Sequence, residues 1–400
     1  MNTLTAVPHV DTSETELLDF LTSHATSNDF PFALWQLPNS GVKHLLISHS
    51  QRKSPKDTTI EQLAPGFIFA PFDKEKDAIY LPADFLFRFE NGKLRDDEDA
   101  IGVSSRMWLE KSLGGKQKVR GVKTPAAASP APSTTEEDKH FISLIKKAIE
   151  QIEQNAFEKV VPSRTKFIDL PHDFDPLTAF VKLSTRYPSA LVSLVNIPGI
   201  GCWMGATPEV LVTVENQTIF KTVALAGTQP FREGTSVRNV AWTQKEIEEQ
   251  ALVERYIISC FKKIRLREYE EHGPKTVIAG NLIHLKSDFT VDMKATNFPQ
   301  LGTTMLQLLH PTSAVCGMPL ESSLDFLKRF EGYDRSFYSG YLGPVNVDND
   351  IRIFVNLRCM QIRDRKAQLY AGAGVTIDSI PEEEYQETEI KFDTLLNVIF

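Results

Sequence analysis

The sequence has few cysteines, no long apolar run and no excess of positive charge, and each shortage removes a class of function. Four cysteines in 400 residues, Cys202, Cys260, Cys316 and Cys359, are too scattered for a disulfide framework or a zinc knuckle. Buried thiols are expected. No apolar stretch reaches the roughly 18 residues of a membrane span, and the opening MNTLTAVPHVDTSETELL lacks the basic region and apolar core of a signal peptide. A cytoplasmic protein without membrane contact is therefore expected. The formal charge of −8 argues against nucleic acid as a partner, because a phosphate backbone does not attract an acidic protein. A small, locally held anion stays open. Also missing are a strand-to-helix GxGxxG, a Walker loop and a G-x-S-x-G elbow, so nucleotide binding and Ser-His-Asp chemistry find no support. His284 and His310 have no partner at metal-ligand spacing.

What is present is enough apolar material, 42% of 400 residues, for one large core or two smaller ones. The segment GVKTPAAASPAPSTTEEDK interrupts the apolar periodicity and reads as an exposed connector. The expected organisation is an N-terminal α/β portion over residues 1–120, a flexible linker over 121–138 and a catalytic region over 139–400. Short runs such as HLLIS and GFIFAPF suggest a sheet in the first part. Beyond the linker, Thr134 or Thr135 can cap a helix whose stripe is Phe141, Leu144, Ile145, Ala148, Ile149 and Ile152. EKVVPSRTKFIDL, ALVSLVNIP, GCWMGATPEVLVTVEN, TIFKTVALAGTQP, TVIAGNLIHL, FYSGYLGPVNV, IRIFVNLRCMQI and AQLYAGAGVTI read as strands. Helices are expected from about Thr243 to Ile264, over 297–309 and 320–331, and from Pro381. Strands, then helices, then strands fit an α+β sandwich better than a doubly wound sheet.

Acids stand where a solvated face would not put them. Glu249 precedes Leu252, Val253, Tyr256 and Cys260 at the helical spacings of three, four, seven and eleven, which extends the apolar stripe and turns the carboxylate inward. On the last helix Glu384, Glu387 and Lys391 share one face. Two inward carboxylates and a lysine suit a hard cation such as magnesium, which keeps waters and shares its coordination with an anionic substrate. The alternative stays open, because glutamate in a first helical turn also complements the helix dipole.

Eight blocks in order, EKVVPSR, GATPEVL, ALAGT, LHPTSAVCGMP, FEGYDRSFYSGYLGPV, NLRCMQI, LYAGAGV and PEEEYQETEIK, resemble the chorismate-binding enzyme family from about residue 139 to the end. The resemblance implies the layered α/β sandwich of the anthranilate synthase component I type, with chorismate as substrate and a magnesium ion held by Glu249 and Glu387, Glu384 acting through water. Gln250 departs from the pattern, since many relatives carry histidine there. By motif position Tyr338, Arg358, Gly372 and Lys391 would meet the substrate carboxylates. Arginine suits this task through its planar fork. His284 would lie near the ring hydroxyl, Ala226, Gly227 and Thr228 along the floor, and Ala314 against the substrate.

Relatives that add ammonia carry glutamine just before VVPSR, whereas those that add water carry lysine, as Lys159 does here. The resemblance thus implies an isomerase that converts chorismate to isochorismate. Lys159 would take a proton from water, which requires a lowered pKa, and Glu209 would protonate the departing ring 4-hydroxyl. Ala226 replaces the lysine of the PIKGT pattern, which counts against covalent amination, and no glutaminase subunit is expected. Two other readings remain: a salicylate synthase that goes on to eliminate pyruvate, and a chorismate sensor that needs neither Lys159 nor Glu209. The sequence is silent on oligomeric state and on the pathway supplied, menaquinone or siderophore.

Overall fold

A computed structural model describes residues 13–54, 58–95, 105, 135–230, 237, 240–279 and 282–400. Helix α1 (Glu14–Ser27) opens on a capping box between Ser13 and Glu16. Strands β1 (Phe32–Gln36), β2 (Val42–Ile47), β3 (Arg52–Ser54), β4 (Gly66–Ala70), β5 (Ala78–Pro82), β6 (Phe85–Glu90) and β7 (Lys93–Leu94) follow. Helix α2 (Thr135–Glu153) leads into β8 (Lys159–Val160) and β9 (Ser163–Asp169), and α3 (Pro176–Arg186) into β10 (Leu191–Ile197), β11 (Gly201–Thr207), β12 (Val210–Glu215) and β13 (Ile219–Pro230). After α4 (Gln244–Lys263) come β14 (Glu270–Ala279), β15 (Leu282–Asp292), α5 (Leu301–Leu309), β16 (Gly317–Met318) and α6 (Leu320–Phe330). The chain finishes with β17 (Tyr341–Val345), β18 (Ile351–Val355), β19 (Cys359–Arg363), β20 (Lys366–Gly372) and α7 (Pro381–Ile399).

Among the described residues two sheets of nine strands each result, ordered β7-β6-β2-β1-β10-β11-β19-β20-β9 and β14-β15-β13-β12-β18-β17-β4-β5-β3, while β8 and β16 form a separate pair. The N-terminal strands pair into both sheets. Alternation along β4 shows how the layers arise: Phe67 and Phe69 point between the sheets, Ile68 and Ala70 toward the helices. The layer between the sheets is aromatic, with Phe69 stacked on Phe337 at 4.1 Å and Trp203 on Tyr370 at 5.4 Å. Helices α1, α3 and α7 cover one outer face; α2, α4, α5 and α6 pack against the other. This is the α+β layered sandwich expected from the sequence. No helix among the described residues is long and apolar enough to cross a membrane.

Four sequence runs are divided by the fold. IRIFVNLRCMQI becomes β18 and β19, which belong to different sheets. EKVVPSRTKFIDL becomes β8 and β9, broken where Pro162 offers no N–H to a ladder. GCWMGATPEVLVTVEN becomes β11 and β12, which belong to different sheets. TVIAGNLIHL is the end of β14 and the start of β15, an antiparallel pair. Residues 121–134, most of the expected linker and one candidate cap, lie outside the described residues, and the helix after them begins at Thr135.

One buried ion pair ties the segments around β8 together. Arg335 donates to Glu331 at 2.6 and 2.7 Å, to the Val315 carbonyl at 2.8 Å and to the Val161 carbonyl at 2.7 Å. Glu331 also accepts the Ser163 N–H and hydroxyl, both at 2.7 Å. Removing one partner strands the other charge in the interior. Arg335→Met is therefore expected to lower unfolding free energy by about 3–5 kcal/mol, with part of the loss recovered by adding Glu331→Leu. Urea denaturation of the two variants checks this, and a loss under about 1 kcal/mol in the single variant would contradict it.

Candidate active site

The break between β11 and β12 sets the first group. Because the chain changes sheets at Pro208 and Glu209, Glu209 stands at the corner between the layers, its carbonyl accepting the Val355 N–H at 2.9 Å. Burial pushes its carboxyl from 4.5 up to about 7, against the opposing pull of a Thr312 hydroxyl at 3.4 Å and the charges of Lys159, Lys391 and Arg358. Glu209, Thr312 and Ala314 line a narrow cavity of about 20 Å³.

Lys159 points inward. Strand β8 pairs with β16 and buries the side chain, which donates to Glu249 on α4 at 2.7 Å. This contact holds the Glu249 carboxyl below its ordinary value. Space for the lysine comes from Gly374, where a Cβ would lie 3.1 Å from Lys159 Cε.

Helix α4 starts where the sequence places it, with Thr243 and Glu246 forming its capping box. Its approach to β13 is fixed by a bulge at Gly227, between Ala226 and Thr228. Gly227 has φ 62°, and a Cβ there would crowd the Glu246 carbonyl at 3.1 Å, so glycine alone suits the position. Its N–H donates to Glu249, and its carbonyl accepts from His284, which burial lowers to about 4 and keeps neutral. Gln250, the departure from the family pattern, is fully employed. Its side chain accepts the Ala226 N–H at 2.9 Å and donates toward Ala224, Glu254 and Ser287.

Helix α7 brings the other acids. Glu387 pairs with Lys391 at 2.6 Å, and Lys391 donates to the Gly372 carbonyl at 2.7 Å. Glu384 is buried and accepts the Ser379 hydroxyl at 2.7 Å. Arg358, at φ 48°, reaches Thr394 at 3.2 Å, and Tyr338 stacks on Tyr370 with its hydroxyl beside Gly372.

These groups share one electrostatic neighbourhood. Lys159, Lys391 and Arg358 act on Glu209; Arg358, Glu249 and Lys391 act on His284; Glu249, Lys391 and Arg358 act on Glu387. Three cations that act on one carboxyl suit a dianion. Among the described residues no three His, Cys, Asp or Glu side chains form a closed metal cluster. Glu249 and Glu387 nonetheless repel each other electrostatically, each with one oxygen on a lysine. Two hard oxygen donors that share a field fit a cation that takes its remaining ligands from water and substrate. Thr312 and Gly374 escaped the sequence reading, although both sit inside quoted blocks, HPTSAV and AGAG.

The corner glutamate gives a stability prediction. A carboxyl raised from 4.5 to about 7 in the folded state costs nothing below pH 4.5, and its cost grows until pH passes 7. Glu209→Gln should thus stabilise the fold by up to about 3 kcal/mol above pH 7 and by nothing below pH 4.5. Denaturation curves at pH 4.5 and 8 measure the difference; an equal effect at both would contradict the placement of this carboxyl.

Residues 86–400 match the family described as chorismate binding enzyme. The isochorismate synthase EntC of Escherichia coli strain K12 is 27% identical over 60% of this chain and 62% of its own length. A salicylate synthase of Mycolicibacterium paratuberculosis is 28% identical over 62% of this chain and 55% of its own. The alignments therefore span little more than half of these relatives. A solved structure of MenF, the menaquinone-specific isochorismate synthase from Escherichia coli, superposes with a TM-score of 0.73, covering 95% of this chain and 91% of its own, at 19% identity, a likeness of fold. With residues 86–400, most of its length, matched, the chain belongs to the chorismate-binding enzyme family.

Proposed function

We propose that the protein is an isochorismate synthase, an isomerase that converts chorismate to isochorismate. The observation that carries the reading is the pairing, in one cationic cleft, of buried Lys159 with a glutamic acid poised near neutral pH. Lys391, Arg358 and the Tyr338 hydroxyl receive the substrate carboxylates. Lys159, once its contact with Glu249 opens, takes a proton from water, and the oxygen adds at ring C2. The ring double bond shifts, the C4–O bond breaks, and Glu209 gives its proton to the departing hydroxyl. One water enters and one leaves, so the reaction is an isomerisation. Neutral His284 orients the ring hydroxyl without adding charge. Glu249 and Glu387, with Glu384 through water, would hold magnesium, which supplies orientation and charge screening for the ring carboxylate.

Incubation with chorismate and magnesium, followed by chromatography, tests the reading. Isochorismate is expected to accumulate with little salicylate, because Ala314 beside Glu209 resembles the isochorismate-forming relatives and salicylate-forming ones tend to carry threonine there. Salicylate and pyruvate appearing in step with chorismate loss would favour the salicylate synthase reading. Binding without turnover would favour a sensor.

A further inference from the structure

One cavity is lined by none of the residues assigned to catalysis or substrate binding. It has a volume of about 250 Å³ and lies on the helix side of the second sheet, between β4, β17 and α5. Ile68, Ala70 and Leu306 supply an apolar lining, and His310 and Tyr341 meet edge to face in its wall at 5.0 Å. The His310 ring is fixed by the Pro71 carbonyl at 3.2 Å. Lys74 stands at the exposed rim, makes no ion pair among the described residues, and its charge reaches His310. Its neighbour Lys76 is committed to Asp334 at 2.6 Å, and Glu75 adds a negative charge to the same rim.

We propose that this cavity is a second small-molecule site, built for a planar aromatic monocarboxylate, whose occupation is felt at the catalytic corner. The volume is near the lower end for ligand pockets and fits a molecule of about a dozen heavy atoms. Apolar walls with two rings favour a flat hydrocarbon body. Among the described residues, a single lysine without an ion pair at the rim, beside Glu75, favours a single negative charge over a phosphate. The link to catalysis is short and continuous: His310 forms the wall, and Thr312, two residues on, donates to Glu209. A ligand pressing on His310 therefore bears on the segment that holds the proposed acid. The binding claim stands without the assigned reaction, and the coupling claim rests on it.

The test uses benzoate as probe and benzamide as its neutral counterpart, on the full chain. Calorimetry is expected to show benzoate binding that persists when the catalytic cleft is saturated with chorismate under initial-rate conditions, with benzamide weaker. Lys74→Met should weaken benzoate about 10-fold, and Ala70→Phe, which fills the cavity, should abolish it. In wild-type protein benzoate should change kcat, and in Ala70→Phe it should not. Absence of benzoate binding, binding unchanged in both variants, or purely competitive behaviour against chorismate would overturn the site. Binding lost in both variants without any effect on kcat would retain the site and overturn its coupling. If the protein proves inactive on chorismate, the calorimetric arm still decides the site.

Discussion

Lys159→Ala is expected to cut turnover of chorismate by about 100-fold to 10,000-fold, the range typical of a positioned proton transfer, while substrate binding falls much less. The asymmetry follows from geometry. Arg358 and Lys391 are anchored independently of Lys159, by Thr394 and by Glu387 with the Gly372 carbonyl, so two cations remain for the carboxylates. A direct titration of folded variant with chorismate separates the two effects. Lys159→Gln sharpens the test, since it installs the residue of the ammonia-adding relatives and removes the base for water. Slow amination at high pH with ammonium would be consistent with that exchange. Near-normal water addition by Lys159→Ala would place the base elsewhere. A loss in kcat matched by an equal loss in affinity would assign Lys159 to binding instead.

Periodicity made the helices legible, and topology hid in contacts remote along the chain. The Thr243 to Ile264 reading matches α4 within a residue at each end, because a capping box and an apolar stripe both lie in the local sequence. Pro381 marks the start of α7 for the same kind of reason. The strands are harder. β10 and β11 are buried along their whole lengths between a helix layer and the second sheet, so they show no alternation from which a face can be read. Pairing of β1 with β10 joins residues far apart in sequence. GCWMGATPEVLVTVEN reads as one apolar run, yet Pro208 and Glu209 mark a change of sheet, and that change is what carries Glu209 to its corner.

The site divides in the same way. Helix-face spacing picked out Glu249 and the Glu384, Glu387 and Lys391 face, and the motif blocks named the rest. What spacing could not supply is who meets whom: that Lys159 rests on Glu249, that Thr312 bonds Glu209, and that Gln250, where many relatives carry histidine, accepts the Ala226 N–H of β13. Gly374 could have been suspected from AGAG, but its role, clearing room for a lysine from another segment, exists only in the folded chain.

Glu387→Ala is expected to abolish turnover in the presence of magnesium while leaving the fold intact, because it removes one of two hard oxygen donors from the surface of a helix. Glu249→Ala should do the same, but it also takes away the partner of Lys159, so its loss of activity has two causes. Glu387 touches Lys391 and leaves the Lys159 contact in place, which makes it the cleaner variant. Excess chelator on the wild-type protein should reproduce its effect. A readout apart from turnover is the heat of magnesium binding, expected to vanish in both variants and to be only reduced in Glu384→Ala, whose carboxyl is held by Ser379 and acts through water. Thermal melting close to wild type for Glu387→Ala would exclude unfolding as the cause. Full turnover by either folded variant, or by wild type in excess chelator, would remove magnesium from the mechanism and leave Lys391 and Arg358 as the cations that hold the substrate.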